Sequence, residues 1–171
     1  ETGHEYILPP NVTTYGNLIL TAKGGDNLIL PNNSYTTIKG DLTCTGDNPD
    51  AWVTMSWLTA VVYTPTIEKT VHVTGNMFIN NGTFLFLDDQ TPQHLIVDGN
   101  VTIAPGAVFD TYNNYPVNNG GATRLNSFEI GGSFINNSNV NPSARFINGN
   151  NYVNLTFSGN TNASITSGVG S

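Results

Sequence analysis

Apolar and polar residues alternate along this chain in short runs, broken by Gly, Asn and Pro. A period of two is the mark of a strand with one face on a core, whereas a helical period of 3.6 is nearly absent. Between residues 71 and 79 the alternation sets Val71, Val73, Met77 and Ile79 on one face. His72, Thr74, Asn76 and Phe78 fall on the other. Phe84-Leu85-Phe86-Leu87 is apolar on both faces, as are Leu18-Ile19-Leu20 and Leu28-Ile29-Leu30. Such strands are expected to be buried on both sides or to meet a partner.

The breaks recur. A motif of an apolar residue or Thr, any residue, Gly, a small polar residue and usually another apolar one appears six times. Its glycines are Gly16, Gly40, Gly75, Gly99, Gly132 and Gly159, spaced 24, 35, 24, 33 and 27 residues apart. Periods of this length predict stacked repeats, in which one rung cannot bury its inward face without its neighbours. The unequal spacing predicts constant strands joined by variable loops. A second similarity, Phe78-Ile79-Asn80-Asn81-Gly82 against Phe134-Ile135-Asn136-Asn137-Ser138, has an offset of 56 residues. It disagrees by one residue with the glycine motif. Either a β-bulge at Gly131-Gly132 absorbs the slip or one alignment is out of register.

Composition sharpens this picture. The 171 residues include 25 Asn, 22 Thr and 18 Gly, a strand-and-turn composition poor in helix formers. Only 10% are charged, so uncharged polar groups must supply solubility. The net charge is −7, and the five basic residues, Lys23, Lys39, Lys69, Arg124 and Arg145, form no cluster. Nucleic acid and anionic membranes are therefore excluded as expected partners. No run is apolar and long enough for a membrane-spanning helix. Cys44 is the sole cysteine, so no intrachain disulfide forms, and a small buried apolar role is expected of it. The chain opens on Glu1 without an apolar leader, as removal of a signal peptide or trimming would leave it.

The segment Gly75-Asn76-Met77-Phe78-Ile79-Asn80-Asn81-Gly82-Thr83-Phe84, with its weaker copy at 132–137, resembles repeats of secreted bacterial and archaeal β-solenoid surface proteins and adhesins. With the six glycine motifs the resemblance covers residues 14–161. It implies a right-handed parallel β-helix, a fold that also carries polysaccharide lyases and hydrolases. The expected architecture is one all-β domain over residues 1–171, a solenoid of about six irregular rungs. Residues 14–161 hold the repeats, residues 1–13 an N-terminal extension or donor strand, and residues 50–68 an apolar insertion. The competing fold is a jelly-roll β-sandwich, some of which polymerise by lending a strand to the next subunit.

Candidate chemistry is sparse. Asp88-Asp89 is the only adjacent acidic pair, and with Asp98 one rung later it could bracket a glycosidic bond. A solvated turn is the plainer reading. His72 and His94 lie near one rung apart and could stack, and His4 stands alone; polar surface residues are the plainer reading there too. Cys44 with either of those two histidines lacks any nucleophile signature. The sequence has no G-x-S-x-G or H-E-x-x-H motif. Gly24-Gly25-Asp26-Asn27-Leu28 partly matches a calcium nonapeptide, and Asp47-Asn48-Pro49-Asp50 is oxygen-rich, but an Asx-Pro turn is expected at the latter. No catalytic residue, metal or cofactor is assigned.

Seven N-x-[ST] sequons, at Asn11, Asn32, Asn81, Asn100, Asn136, Asn154 and Asn162, are a mild excess over chance and mark glycosylation candidates. Trp52, Trp57 and Tyr63 are interface candidates, with cover of a core edge as the plainer reading; with Tyr112 and Tyr115 they could instead form a sugar platform. The expected function is structural and non-enzymatic. The chain would be a subunit or segment of an extracellular filament or cell-surface assembly, associating with copies of itself through strand edges and apolar surface. The alternative is a carbohydrate-binding or polysaccharide-cleaving domain with glycans as partners. Scarce Lys and Arg argue against a lyase on acidic sugars.

Overall fold

A computed structural model describes residues 4–31, 33–55, 68–87, 92–112, 124–148, 151–160 and 162–166. These residues form eighteen β-strands and, among them, no helix. The chain passes through three sheets in turn five times, and a sixth pass adds strands to only two of them. The first circuit comprises β1 (Glu5–Ile7), β2 (Thr14–Tyr15) and β3 (Leu18–Ala22). The second comprises β4 (Asn27–Ile29), β5 (Tyr35–Ile38) and β6 (Leu42–Gly46). The third has β7 (Trp52–Thr54), β8 (Lys69–Val73) and β9 (Met77–Asn80), and the fourth β10 (Gly82–Leu87), β11 (Gln93–Val97) and β12 (Val101–Ile103). The fifth has β13 (Ala107–Tyr112), β14 (Arg124–Ile130) and β15 (Phe134–Asn136). The last has β16 (Ile147–Asn148), β17 (Asn151–Phe157) and β18 (Ile165–Thr166).

From β1 to β15, each strand except β13 pairs with the one three places later. Sheet A runs β1-β4-β7-β10-β13, sheet B runs β2-β5-β8-β11-β14-β17-β16, and sheet C runs β3-β6-β9-β12-β15-β18. Every pairing is parallel except the short β16–β17 hairpin on the outer edge of sheet B. Parallel pairing excludes the antiparallel jelly roll, because strands that follow one another in sequence never sit side by side as hairpins in sheets A and C. Ala144 extends sheet A by a parallel bridge to Phe109.

The inward residues stack in columns. In sheet C they are Leu18, Leu42, Met77, Val101, Phe134 and Ile165, flanked by Leu20, Cys44, Ile79 and Ile103. In sheet B, Ile38, Val73, Val97 and Ile130 form one column and Val71, Leu95 and Phe128 another. Sheet A contributes Leu28, Val53, Phe84 and Phe109. Apart from Leu18 and Leu28, partly buried, and the terminal Ile165, which is exposed, these residues form one buried core. Burying each Leu, Ile or Phe supplies about 1.5–3 kcal/mol, so cohesion comes from neighbouring circuits rather than from any one of them. Aromatic rings concentrate towards the later circuits, where Phe109 stacks on Phe128 at 5.3 Å and meets Phe146 at 5.0 Å.

The face assignment over residues 71–79 is seen in full: Val71, Val73, Met77 and Ile79 are wholly buried. Sheet A is the doubly buried one. Phe84 and Phe86 point to the core, while Leu85, Ile29 and Thr54 are also buried on the opposite side. Leu18-Ile19-Leu20 differs, because Ile19 lies on the outer face of sheet C and is 69% exposed.

Two boundaries move, and one register is decided. Residues 5–7, expected in an extension or donor strand, are the first strand of sheet A, paired with β4. The segment placed in an insertion at 50–68 begins with β7, a regular sheet A strand, and Met55 follows it into the core. The glycine alignment sets the register, since Met77, Val101 and Phe134 are successive partners and the offset from Met77 to Phe134 is 57. The match of Phe78 with Phe134 is therefore one residue out. No bulge is needed at Gly131-Gly132, because β11–β14 and β12–β15 share an offset of 33.

Candidate interaction surfaces

All six glycine motifs fall at the corner between sheets B and C, and their fourth residue explains the recurrence. The side-chain oxygen of one circuit accepts the backbone N–H of the next. Asn17 Oδ1 accepts Asp41 N–H at 2.9 Å, and Asp41 Oδ1 accepts Asn76 N–H at 2.7 Å. Asn76 Oδ1 accepts Asn100 N–H at 2.9 Å, Asn100 Oδ1 accepts Ser133 N–H at 2.8 Å, and Ser133 Oγ accepts Ser164 N–H at 3.1 Å. Corner N–H groups leave the sheet ladder and need acceptors, which this column supplies. The preceding glycines make room for it. A Cβ on Gly75 would sit 2.4 Å from Asp41 Oδ1, and one on Gly99 2.6 Å from Asn76 Oδ1.

The column departs from the sequence pattern at its last step. Ser164, not Asn160, holds the sixth position, four residues later than the motif spacing would put it. The sequence motif contained this column as "a small polar residue" after glycine. Its hydrogen-bonding role was missed, because it shows only when the circuits are stacked. The opposite corner, from sheet C to sheet A, uses positive φ instead: Gly25, Asn81, Gly82 and Gly106 have φ of 82°, 58°, 71° and 80°.

Two outer faces differ in how their polar groups are occupied. On sheet B, His72 takes Tyr35 Oη at Nδ1 (3.2 Å) and Asp98 Oδ1 at Nε2 (2.9 Å). His94 takes Ser127 Oγ at Nδ1 and Glu68 Oε1 at Nε2, both at 2.6 Å. The two histidines are not stacked partners, because His72 lies opposite Ile96 and His94 opposite Thr70. Ser127, His94 and Glu68 have the composition of a hydrolytic triad, but they stand on the outward face of a sheet. Among the described residues no group of three or more His, Cys, Asp and Glu is placed to hold a metal.

The outer face of sheet C carries Ile19, Thr43, Phe78, Thr102, Ile135 and Thr166 in one column, beside Thr21, Thr45 and Asn80. None is charged.

The remaining sequence candidates are placed as follows. Cys44 is buried between Leu20 and Ile79, and desolvation pushes its thiol well above the ordinary range. Asp26 Oδ1 accepts the backbone N–H of His4 at 3.1 Å. Asp50 N–H donates to Asn48 Oδ1 at 2.8 Å, an Asx turn as expected for Asp47–Asp50. Among the sequons, Asn11, Asn100, Asn154 and Asn162 are exposed and Asn81 is half-buried. Asn136 is 1% exposed; its Nδ2 donates to Ser143 Oγ at 2.7 Å and its Oδ1 accepts Ser138 N–H at 3.0 Å. A glycan has no room there, so Asn136 is withdrawn as a candidate for the folded chain. Trp52 is half-buried on β7. Asn32, Trp57, Tyr63, Asp88, Asp89 and Tyr115 lie outside the described residues, as does the side chain of Tyr112.

Compared with known proteins, the chain matches no family model, no curated sequence and no solved structure.

Proposed function

We propose that the three sheets close into a parallel β-helix of six irregular circuits, and that this body is a structural segment of an extracellular filament or cell-surface assembly. The observation that carries this reading is the state of the outer strands of sheet C. β3 and β18 each pair on one side only among the described residues. Ile165 belongs to the inward column yet is 65% exposed. A further parallel strand laid on β18 would cover Ile165 and continue the hydrogen-bond ladder, and the edge of β3 is the complementary one. Unpaired parallel edges of this kind favour addition of another circuit. A surface location and the adhesin class are in keeping with the low charge and the Asn- and Thr-rich composition. The reading assigns no catalytic step.

The test is end-to-end association of the purified chain. Sedimentation velocity and negative-stain microscopy across a concentration series should show oligomers that lengthen by one subunit at a time. Ile165→Lys should suppress them, because the covered column would then bury an unpaired charge. Monomers at all concentrations, or oligomers indifferent to Ile165→Lys, would refute self-association through this edge.

A further inference from the structure

The outer face of sheet C differs from the other two sheets in three respects. First, it is uncharged at every described position, in a chain of net charge −7. A charged partner finds no counter-ion there, whereas the outer face of sheet B presents His72, His94 and Glu129. Second, its polar side chains are idle. Thr21, Thr43, Thr45, Asn80, Thr102 and Thr166 all make no side-chain hydrogen bond to the protein among the described residues, whereas on sheet B Thr37, Thr70, Asn154 and Thr156 are idle but the histidines are engaged at both ring nitrogens. Third, the central column alternates strictly: Ile19, Thr43, Phe78, Thr102, Ile135, Thr166. An apolar side chain therefore returns on every second strand, about 9–10 Å apart, with a hydroxyl midway between.

We propose that this face binds an uncharged, extended polysaccharide of β-1,4-linked hexopyranoses, running across the strands with one sugar per strand. Successive sugars in such a chain turn over, so the same ring face recurs at every second residue, with the parity of the protein column. Ring C–H faces would lie on Ile19, Phe78 and Ile135, and sugar hydroxyls would bond to Thr43, Thr102 and Thr166. Burying the exposed part of these apolar side chains supplies the attraction, and the idle hydroxyls supply orientation without desolvating a charge. The site is separate from Trp52 and from the strand edges. It does not rest on the filament reading, because a monomer carries the whole face.

The experiment is retardation of the full chain in native gels containing a soluble β-1,4-glucan (hydroxyethyl cellulose) or glycol chitin, with alginate and amylose as charged and non-extended controls. Retardation should appear with at least one of the two uncharged β-glycans and with neither control. Thr102→Lys, whose fold is checked by circular dichroism, should weaken it at least tenfold. Thr156→Lys, on the outer face of sheet B, should leave it unchanged. Absence of retardation by both β-glycans overturns the proposal, as does equal retardation in alginate or amylose. So does an unchanged Thr102→Lys, or an equal loss in Thr156→Lys. If Thr102→Lys instead alters the oligomeric state seen by sedimentation, the face is a contact between copies and the glycan assignment falls.

Discussion

Replacing Gly99 by Ala probes the corner between sheets B and C most directly. The new Cβ would lie 2.6 Å from Asn76 Oδ1 and 2.6 Å from the Gly75 carbonyl oxygen. The side chain of Asn76 can retreat only by releasing Asn100 N–H, which it holds at 2.9 Å. The Gly75 carbonyl cannot retreat without lengthening its bond from Gly99 N–H, also 2.9 Å. Overpacking of this kind costs about 1–3 kcal/mol, and a weakened hydrogen bond adds about 1 kcal/mol. The sum, about 3 kcal/mol, corresponds to a fall in Tm on the order of 6–12 °C for a chain of this size. Gly16→Ala is the control, because nothing lies within 4 Å of its Cβ position. It should be neutral or gain about 0.5 kcal/mol from the stiffer unfolded chain. Thermal and urea unfolding followed by circular dichroism measures both. Asn76→Ala removes one of the two clashing atoms, so the Gly99→Ala penalty in that background should shrink by about 1 kcal/mol without vanishing. If Gly99→Ala is as stable as Gly16→Ala, or if the two changes are strictly additive, the corner column does not set the packing and the reasoning is wrong.

Three further outcomes are expected. Cys44 should resist a disulfide reagent at mildly alkaline pH until the chain unfolds, since burial keeps its thiol protonated; rapid labelling of the native protein would contradict this burial. Because the folded thiol has the raised pKa, its contribution to stability is complete below the unfolded value, about 8.5. It is lost progressively above that pH, as the unfolded thiol ionises and the folded one does not. Cys44→Ala, which itself lowers stability through the cavity, should remove that part of the alkaline decline. In a secretory host that glycosylates Asn, peptide mass mapping of folded protein should find Asn11, Asn154 or Asn162 occupied and Asn136 bare, because Asn136 is buried against Ser143 and Ser138. An occupied Asn136 in protein with native circular dichroism would contradict its burial.

The parity of Phe134 shows how local pattern and stacking divide the information. A one-residue slip turns every side chain of a strand to the other face. The local likeness of 78–82 to 134–138 would turn Phe134 outward, like Phe78. The sheet register pairs it with Val101 and turns it inward. The same parity carries Asn136 into the core column of Ile79 and Ile103, which its sequon could not reveal. Spacing was equally silent at the two ends of the stack. Thr14 pairs with Thr37 but Leu18 with Leu42, so the first circuit is one residue short at its corner. The last circuit holds extra residues before Ile165. Loop length leaves no trace in strand alternation, so neither irregularity was legible.

The sequence by itself determined what depends on neighbours along the chain. Alternation chose strands over helices and the faces of Val71 to Ile79, and recurrent Gly followed by Asn, Asp or Ser marked the corner of each repeat. Only the tertiary structure decided what depends on residues 22 to 35 positions apart. That includes the hydrogen-bonded column from Asn17 to Ser164, the engaged histidines of sheet B, and the uncharged column of sheet C. The physical reason is that parallel pairing brings together residues a full circuit apart, so a side chain's neighbours are fixed by inter-strand hydrogen bonds rather than by its place in the chain.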